Sequence, residues 1–271
     1  MQVPGFSQHP TPLMPGSDMH SLFISDLHLC PTRPVINALF ARFIQNTAPH
    51  AEALYILGDF FEYWAGDDDL DYPFHMAVAQ QLAKLAQTGT RIFFMHGNRD
   101  FLISKDFLRA TSATWLPDPA LIDLYGQPTL LMHGDTLCSD DVAYQAFRTQ
   151  VRSPEWQRAF LAMPLAARKA RIEALRKQSE QAKSTKPAEI MDTNAGTVAA
   201  ALRAHGYPCL IHGHTHRPAR HVHAVDGKVC ERWVLPDWYE TGGYLRCDAA
   251  GCEALTFPKP NLGSGKTPGP Q

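Results

Sequence analysis

The stretch Leu22-Phe23-Ile24-Ser25-Asp26-Leu27-His28 passes from a short apolar segment directly into an acid and a histidine. A segment this short, and apolar at successive rather than alternate positions, fits a strand buried on both faces of a sheet. The same transition recurs four times. Leu54 to Leu57 leads into Gly58-Asp59, Ile92 to Met95 into His96-Gly97-Asn98-Arg99-Asp100, Leu130 to Met132 into His133-Gly134-Asp135, and Cys209 to Ile211 into His212-Gly213-His214-Thr215-His216. Helical patterns lie between them: Val35 to Ala48, Phe74 to Thr88 stopped by Gly89, Asp141 to Val151, and Ile190 to His205 stopped by Gly206. Buried strands alternating with helices predict an α/β fold, in which ligands gather at the carboxyl ends of the strands. The polar residues of this chain stand at those ends.

Outward from these runs the chain changes character. From Ser153 to Lys186 it begins Ser-Pro, is split by Pro164 and carries Arg168, Lys169, Arg171, Arg176, Lys177, Lys183 and Lys186, which reads as a helical insertion at about 153–187. Beyond His216 strand signals take over, with a hairpin turn at Asp226-Gly227 and a second turn near Ala250-Gly251. Residues 1–20, with four prolines, read as a flexible extension that is neither a signal peptide nor a membrane span, and 258–271, rich in Pro, Gly and Ser, as a disordered tail. One domain over 21–257 is expected, in the cytoplasm. The net charge of -2 gives no general attraction to nucleic acid, and none is expected as a partner. Six cysteines (Cys30, Cys138, Cys209, Cys230, Cys247, Cys252) include no C-x-x-C pair and are read as reduced packing residues.

Each strand-end motif supplies one or two oxygen or imidazole donors on a short turn. Taken singly they have ordinary roles: Asp59 as a helix cap, Asn98 as a turn residue, His133 as an interior hydrogen-bonded histidine. The histidines at alternate positions beside Gly213 are harder to explain by packing. Together, donors without thiolate suit manganese, iron or zinc, and two such ions can clamp the attacking and leaving oxygens of a displaced phosphate.

In this order, D-x-H, G-D, G-N, H and G-H-x-H, the residues resemble the calcineurin-like metallophosphoesterase superfamily over Asp26 to Arg217. The resemblance implies a four-layer αββα sandwich with a helical lid insertion. It also implies one metal site from Asp26, His28, Asp59 and His216, and another from Asp59, Asn98, His133 and His214, with Asp59 bridging. Where many members have histidine after the asparagine, this chain has Arg99. A permanent cation cannot act as a general acid, so Arg99 is expected to clamp phosphate oxygens, the alternative being a surface salt bridge with Asp100 or Asp106. Catalytic roles are thus expected for Asp59, Asn98 and Arg99.

Longer stretches, Gly58 to Trp64, Gly66-Asp67-Asp68, His133 to Asp141 and Ile211 to Pro218, are similar to the UDP-2,3-diacylglucosamine diphosphatases of lipid A biosynthesis. That likeness implies two Mn2+ ions per chain, other divalent metals being acceptable, and water attack on the α-phosphorus to give UMP and 2,3-diacylglucosamine 1-phosphate. It implies peripheral contact with the cytoplasmic face of the inner membrane and suggests no protein partner. Substrate contacts would fall on Asn98, Arg99, Asp141, Ser179, Lys183, Lys186 and His214; relatives commonly have asparagine at the position of Lys183. Asp141 has a plain alternative as a helix cap, and Ser179 as a surface serine. In the insertion, Trp156, Phe160, Leu161, Met163, Leu165, Ile172 and Leu175 would line an acyl groove or simply pack the lid. Two rival readings are another dinuclear phosphoesterase and a metal-free scaffold of the same fold.

Overall fold

The computed structural model describes residues 19–183 and 190–257; the tail, Lys186 and most of the N-terminal extension fall outside them. Three of the apolar runs form parallel neighbours: β1 (Ser21–Ile24), β2 (Ala53–Leu57) and β3 (Arg91–Met95), joined through helices α1 (Pro34–Asn46) and α2 (Pro73–Gln87). After α3 (Lys105–Thr111), β4 (Ala113–Leu116) extends this sheet beside β3. A second sheet starts with β5 (Ala120–Leu124) and β6 (Gln127–Met132). Helices α4 (Val142–Arg152), α5 (Pro154–Leu161), α6 (Leu165–Lys183) and α7 (Ala195–Ala204) follow before the chain re-enters that sheet as β7 (Cys209–His212), β8 (Ala219–Val225) and β9 (Lys228–Val234). The last strands, β10 (Gly243–Asp248) and β11 (Gly251–Thr256), return to the first sheet. The two orders are β11-β10-β1-β2-β3-β4 and β5-β6-β7-β9-β8.

Side chains alternate across a strand, and the clusters of buried residues show what each face meets. Leu22, Ile24, Leu54 and Ile56 pack with Leu39, Phe40 and Phe43 of α1 and Leu82 of α2, whereas their neighbours Phe23, Tyr55 and Leu57 pack with Leu131 and Ile211 of the second sheet. On the far side Leu130 and Leu210 meet Val198 and Leu202 of α7. The result is helix, sheet, sheet, helix, the four-layer αββα sandwich. Because both faces of the central strands are covered, their sequences are continuously apolar. The run-by-run reading does not separate one sheet from two, since a strand buried on both faces has the same composition in either.

Three elements, α3, β4 and β5, were not anticipated from the pattern. β4 and β5 are only partly buried, so their apolar signal is weak. Helix α7 begins at Ala195 rather than near Ile190, because the Asn194 side chain accepts from the Thr197 N–H at 3.0 Å and fixes the start there. The reading of six reduced cysteines needs correction: Cys247 and Cys252 form a disulfide. The β10–β11 register places them directly opposite, Cα atoms 4.1 Å apart, with Asp248 facing Gly251 at the turn.

The insertion is anchored by acids that follow β2. Arg168 is buried, donates to the Ala65 carbonyl at 2.5 Å and pairs with Asp68. Lys169 meets Asp69 at 2.6 Å, and Arg176 pairs with Glu62. Trp156, Phe160, Met163 and Ile172 pack against the main core, while Leu161 is exposed. Much of the insertion's charge and apolar surface is therefore engaged with the body. Asp67 serves a different element: its Oδ1 accepts from Trp64 Nε1 and Ser104 N, both at 3.0 Å, and its Oδ2 from Asp106 N at 2.9 Å and Phe107 N at 3.1 Å, capping α3 from outside it. Removing these charge-assisted bonds in Asp67→Ala is expected to destabilise the fold by about 2–4 kcal/mol, with Asp67→Asn losing about half as much. Urea unfolding measures this; a change under about 0.5 kcal/mol, the range of neutral surface substitutions, would contradict the capping role.

Candidate metal centre

Strand ends from both sheets converge on one place. From the first sheet come Asp26 and His28 after β1, Asp59 after β2, and Asn98 and Arg99 after β3. From the second come His133 after β6, and His214 and His216 after β7. One ligand atom of each of Asp26, His28 and His216 lies within 4.8 Å of the others, and the same holds for Asp59, His133 and His214. Each group thus draws on both sheets.

Asp59 lies between the groups, its Oδ2 3.8 Å from His28 Nε2 and its Oδ1 3.7 Å from His133 Nε2. Its Oδ1 also accepts from the Arg99 N–H at 2.8 Å. Asp26 Oδ2 accepts from Ser25 Oγ at 2.6 Å and from the His214 N–H at 2.9 Å, while its Oδ1 faces His216 Nε2 at 3.3 Å. Asn98 Oδ1 is 3.1 Å from His133 Nε2, and His133 Nδ1 is 2.9 Å from the Leu57 carbonyl. Both ring nitrogens of His133 thus face an oxygen. Burial alone would lower its pKa, but the carboxylates of Asp59, Asp135 and Asp26 outweigh burial and carry it to about 9. Burial and the Asp26 charge push Asp59 up to about 7. Burial would raise Asp26 as well, yet the facing His216 and the other nearby imidazoles hold it well below the usual carboxylate range.

These residues fit divalent cations. Asp26 Oδ1 and both ring nitrogens of His28 are buried without a hydrogen-bond partner. Such groups cost about 1–3 kcal/mol each unless something pairs with them, and a metal ion does. The donors are oxygen and imidazole, which select hard to borderline ions. The backbone points the same way: Asp26 (φ 56°), His28 (50°), Asp59 (50°), His214 (67°) and His216 (54°) all occupy the left-handed region. Non-glycine residues rarely adopt it, and it clusters where function over-determines geometry. Tight packing enforces these turns; a Cβ on Gly213 would stand 2.3 Å from Asp26 Oδ2.

Other expected site residues are placed as follows. Arg99 is partly buried, and no hydrogen bond or ion pair joins its guanidinium to another described residue; Asp106 pairs instead with Arg109, and Asp100 is buried, accepting from the Gly97, Phe60 and Phe61 N–H groups. Asp141 caps α4, accepting from the Tyr144 N–H at 3.1 Å. Ser179 is exposed on α6, and Lys183 ends that helix. Lys186 lies outside the described residues. His212 does not join its two neighbours: its Nδ1 donates to the Gly213 carbonyl, and its Nε2 accepts from Arg232 at 3.0 Å. Burial beside that guanidinium pushes its pKa down to about 3.

Sequence reasoning missed two carboxylates behind the imidazoles. Glu62 Oε2 lies 3.5 Å from His28 Nδ1, and Asp237 Oδ2 lies 3.5 Å from His216 Nδ1. Glu62 stands within a quoted motif without a role attached to it, and Asp237 carries no pattern at all. Arg33, also unanticipated, donates to the Leu27 and His28 carbonyls and so fixes the turn bearing His28. Beside the centre, a cavity of about 200 Å³ lies between Leu29 to Pro31, Glu62 and Tyr63, and Lys169 of α6.

A family model of calcineurin-like phosphoesterases matches residues 19–218. Among curated proteins, the UDP-2,3-diacylglucosamine hydrolase of Aromatoleum aromaticum is 59% identical over 86% of this chain and 95% of its own length. The protein of the same name from Cellvibrio japonicus is 50% identical over 86% and 97%. Among solved structures, an archaeal phosphodiesterase aligns at 12% identity and a TM-score of 0.43, covering 88% of this chain and 100% of its own. The chain belongs to the calcineurin-like phosphoesterases and, within them, to the family of the UDP-2,3-diacylglucosamine hydrolases. It is a metal-dependent hydrolase, with two candidate ligand groups for divalent ions. No helix among the described residues is long and apolar enough to cross a membrane.

Proposed function

We propose that this chain hydrolyses the pyrophosphate of UDP-2,3-diacylglucosamine, water attacking the α-phosphorus to release UMP and 2,3-diacylglucosamine 1-phosphate. The observation that carries the reading is Asp59, whose two oxygens face His28 and His133 of the two groups, with Arg99 hydrogen-bonded to it through the backbone. In this reading Asp26, His28, Asp59 and His216 hold one Mn2+, and Asp59, Asn98, His133 and His214 the other; other divalent ions fit the same donors. When bound, the ions supply charge neutralisation to the pyrophosphate and acidify the attacking water.

The chain's own residues do the rest. Arg99, with its guanidinium uncommitted among the described residues, clamps phosphate oxygens and stabilises the charge that grows on them. The turn bearing Asn98 and Arg99 is fixed on both sides, the Gly97 N–H donating to the buried Asp100 and the Arg99 carbonyl accepting from the Trp64 N–H at 3.1 Å. Asp141, Ser179, Lys183, Lys186 and His214 are the further substrate contacts, and the segment 153–187 is the lid over the acyl chains. Such a substrate brings the enzyme to the cytoplasmic face of the inner membrane as a peripheral protein, with no protein partner.

Hydrolysis of the lipid substrate in oxygen-18 water with Mn2+ tests the proposal by mass spectrometry. Label is expected in UMP, since the attacking oxygen stays on the α-phosphorus. Label in the sugar phosphate would replace the site of attack, and absence of turnover would remove the substrate.

A further inference from the structure

We infer that Glu62 is a positioning residue through which the lid helix α6 lowers the metal affinity of the Asp26, His28 and His216 group. The inference rests on the metal assignment of that group and is independent of the substrate. Its two contacts come from opposite sides of one carboxylate. Glu62 Oε1 pairs with Arg176 of α6, and Oε2 faces His28 Nδ1 at 3.5 Å. That is long for a charge-assisted bond, which prefers about 2.7–2.9 Å, and His28 Nδ1 has no hydrogen-bond partner.

The backbone cannot account for the gap. The Leu29 N–H donates to the Phe60 carbonyl at 2.9 Å, and the Glu62 N–H donates to the Leu29 carbonyl at 3.1 Å, which fixes Glu62 against the turn bearing His28. What remains adjustable is how the carboxylate is shared. A carboxylate hydrogen-bonded behind a ligating imidazole raises its basicity, and losing such a partner typically changes metal affinity 10- to 100-fold. Arg176, paired with Oε1, holds the carboxylate off His28. Among the described contacts no such link reaches the other group, where His133 Nδ1 donates to the Leu57 carbonyl at 2.9 Å. Asp237 stands behind His216 at 3.5 Å with no lid residue drawn to it among the described contacts. Among the described contacts, Glu62 is the one that joins the centre to α6.

Mn2+ titration of the metal-free full-length protein, by calorimetry and by electron paramagnetic resonance of the free ion, reads the two groups without turnover. In Arg176→Ala, one class of sites is expected to tighten about 3- to 10-fold while the other is unchanged; Arg176→Lys should stay near wild type. Glu62→Gln should weaken the same class about 10- to 100-fold, and adding Arg176→Ala to it should change affinity less than about twofold, because the path is gone. A gain in affinity is not a product of misfolding, so the first variant separates this role from a structural one. Arg176→Ala that leaves affinity unchanged, lowers it, or shifts both classes equally would overturn the inference. Wild-type protein that binds no Mn2+ would instead overturn the metal assignment on which it stands.

Discussion

Asp59→Ala is expected to lower turnover by about 10³-fold or more, equivalent to about 4 kcal/mol of transition-state stabilisation. The side chain is buried, and its two oxygens face different ligand groups, so its removal takes a donor from each. The Asp59 side chain accepts one backbone N–H, that of Arg99. Its pKa, raised to about 7, shows that burial and the Asp26 charge penalise the ionised form in the metal-free protein. Apo-Asp59→Ala is accordingly expected to melt no lower than wild type, while the rise in Tm that Mn2+ gives the wild type disappears. Circular dichroism melts with and without Mn2+, beside an activity assay, check both halves. Residual turnover above about a tenth of wild type, only about 1.4 kcal/mol of loss, is incompatible with a bridging role.

Gly97→Ala is expected to remove metal binding and about 10²-fold of activity although it changes no ligand. A Cβ there would lie 2.1 Å from the Asp59 backbone nitrogen and 2.2 Å from Asp59 Oδ1. The Gly97 backbone cannot retreat, since its N–H is held by Asp100 Oδ1 at 2.8 Å and its carbonyl by Arg152 at 2.9 Å. Relief must come from displacing Asp59 itself, and overpacking of this kind costs about 1–3 kcal/mol of stability. Mn2+ stoichiometry by calorimetry and urea unfolding measure the two effects. Full occupancy of both groups in the variant would show that the turn after β3 can yield.

The strand-end motifs were legible because each joins an apolar run, whose composition follows from burial on both faces, to a turn whose ligands have no packing purpose. What was not legible is of another kind. The acids at 67–69 look like a solvated run, yet Asp67 caps a helix more than thirty residues downstream and Asp68 and Asp69 anchor the insertion. Their partners are distant in sequence, and no local period announces them. Asp237 is hidden for the same reason. The Cys247–Cys252 bridge was within reach: a two-residue turn at 249–250 places those positions opposite each other, and the turn itself was recognised close by. The absence of a C-x-x-C spacing was the wrong test for a hairpin. In the insertion, composition leaves a groove and plain packing equally open, and the pairing of Arg168, Lys169 and Arg176 with acids of the body is not readable from it, since those partners are about a hundred residues away in sequence.

The ligand groups each take residues from both sheets, and the chain enters the second sheet only after completing four strands of the first. A partly synthesised chain ending before residue 214 therefore holds an incomplete set in either group. Neither site would be complete until strands of both sheets have come together, which would couple metal loading to the last steps of folding. Metal identity would then depend on the divalent pool available at that moment as well as on donor chemistry.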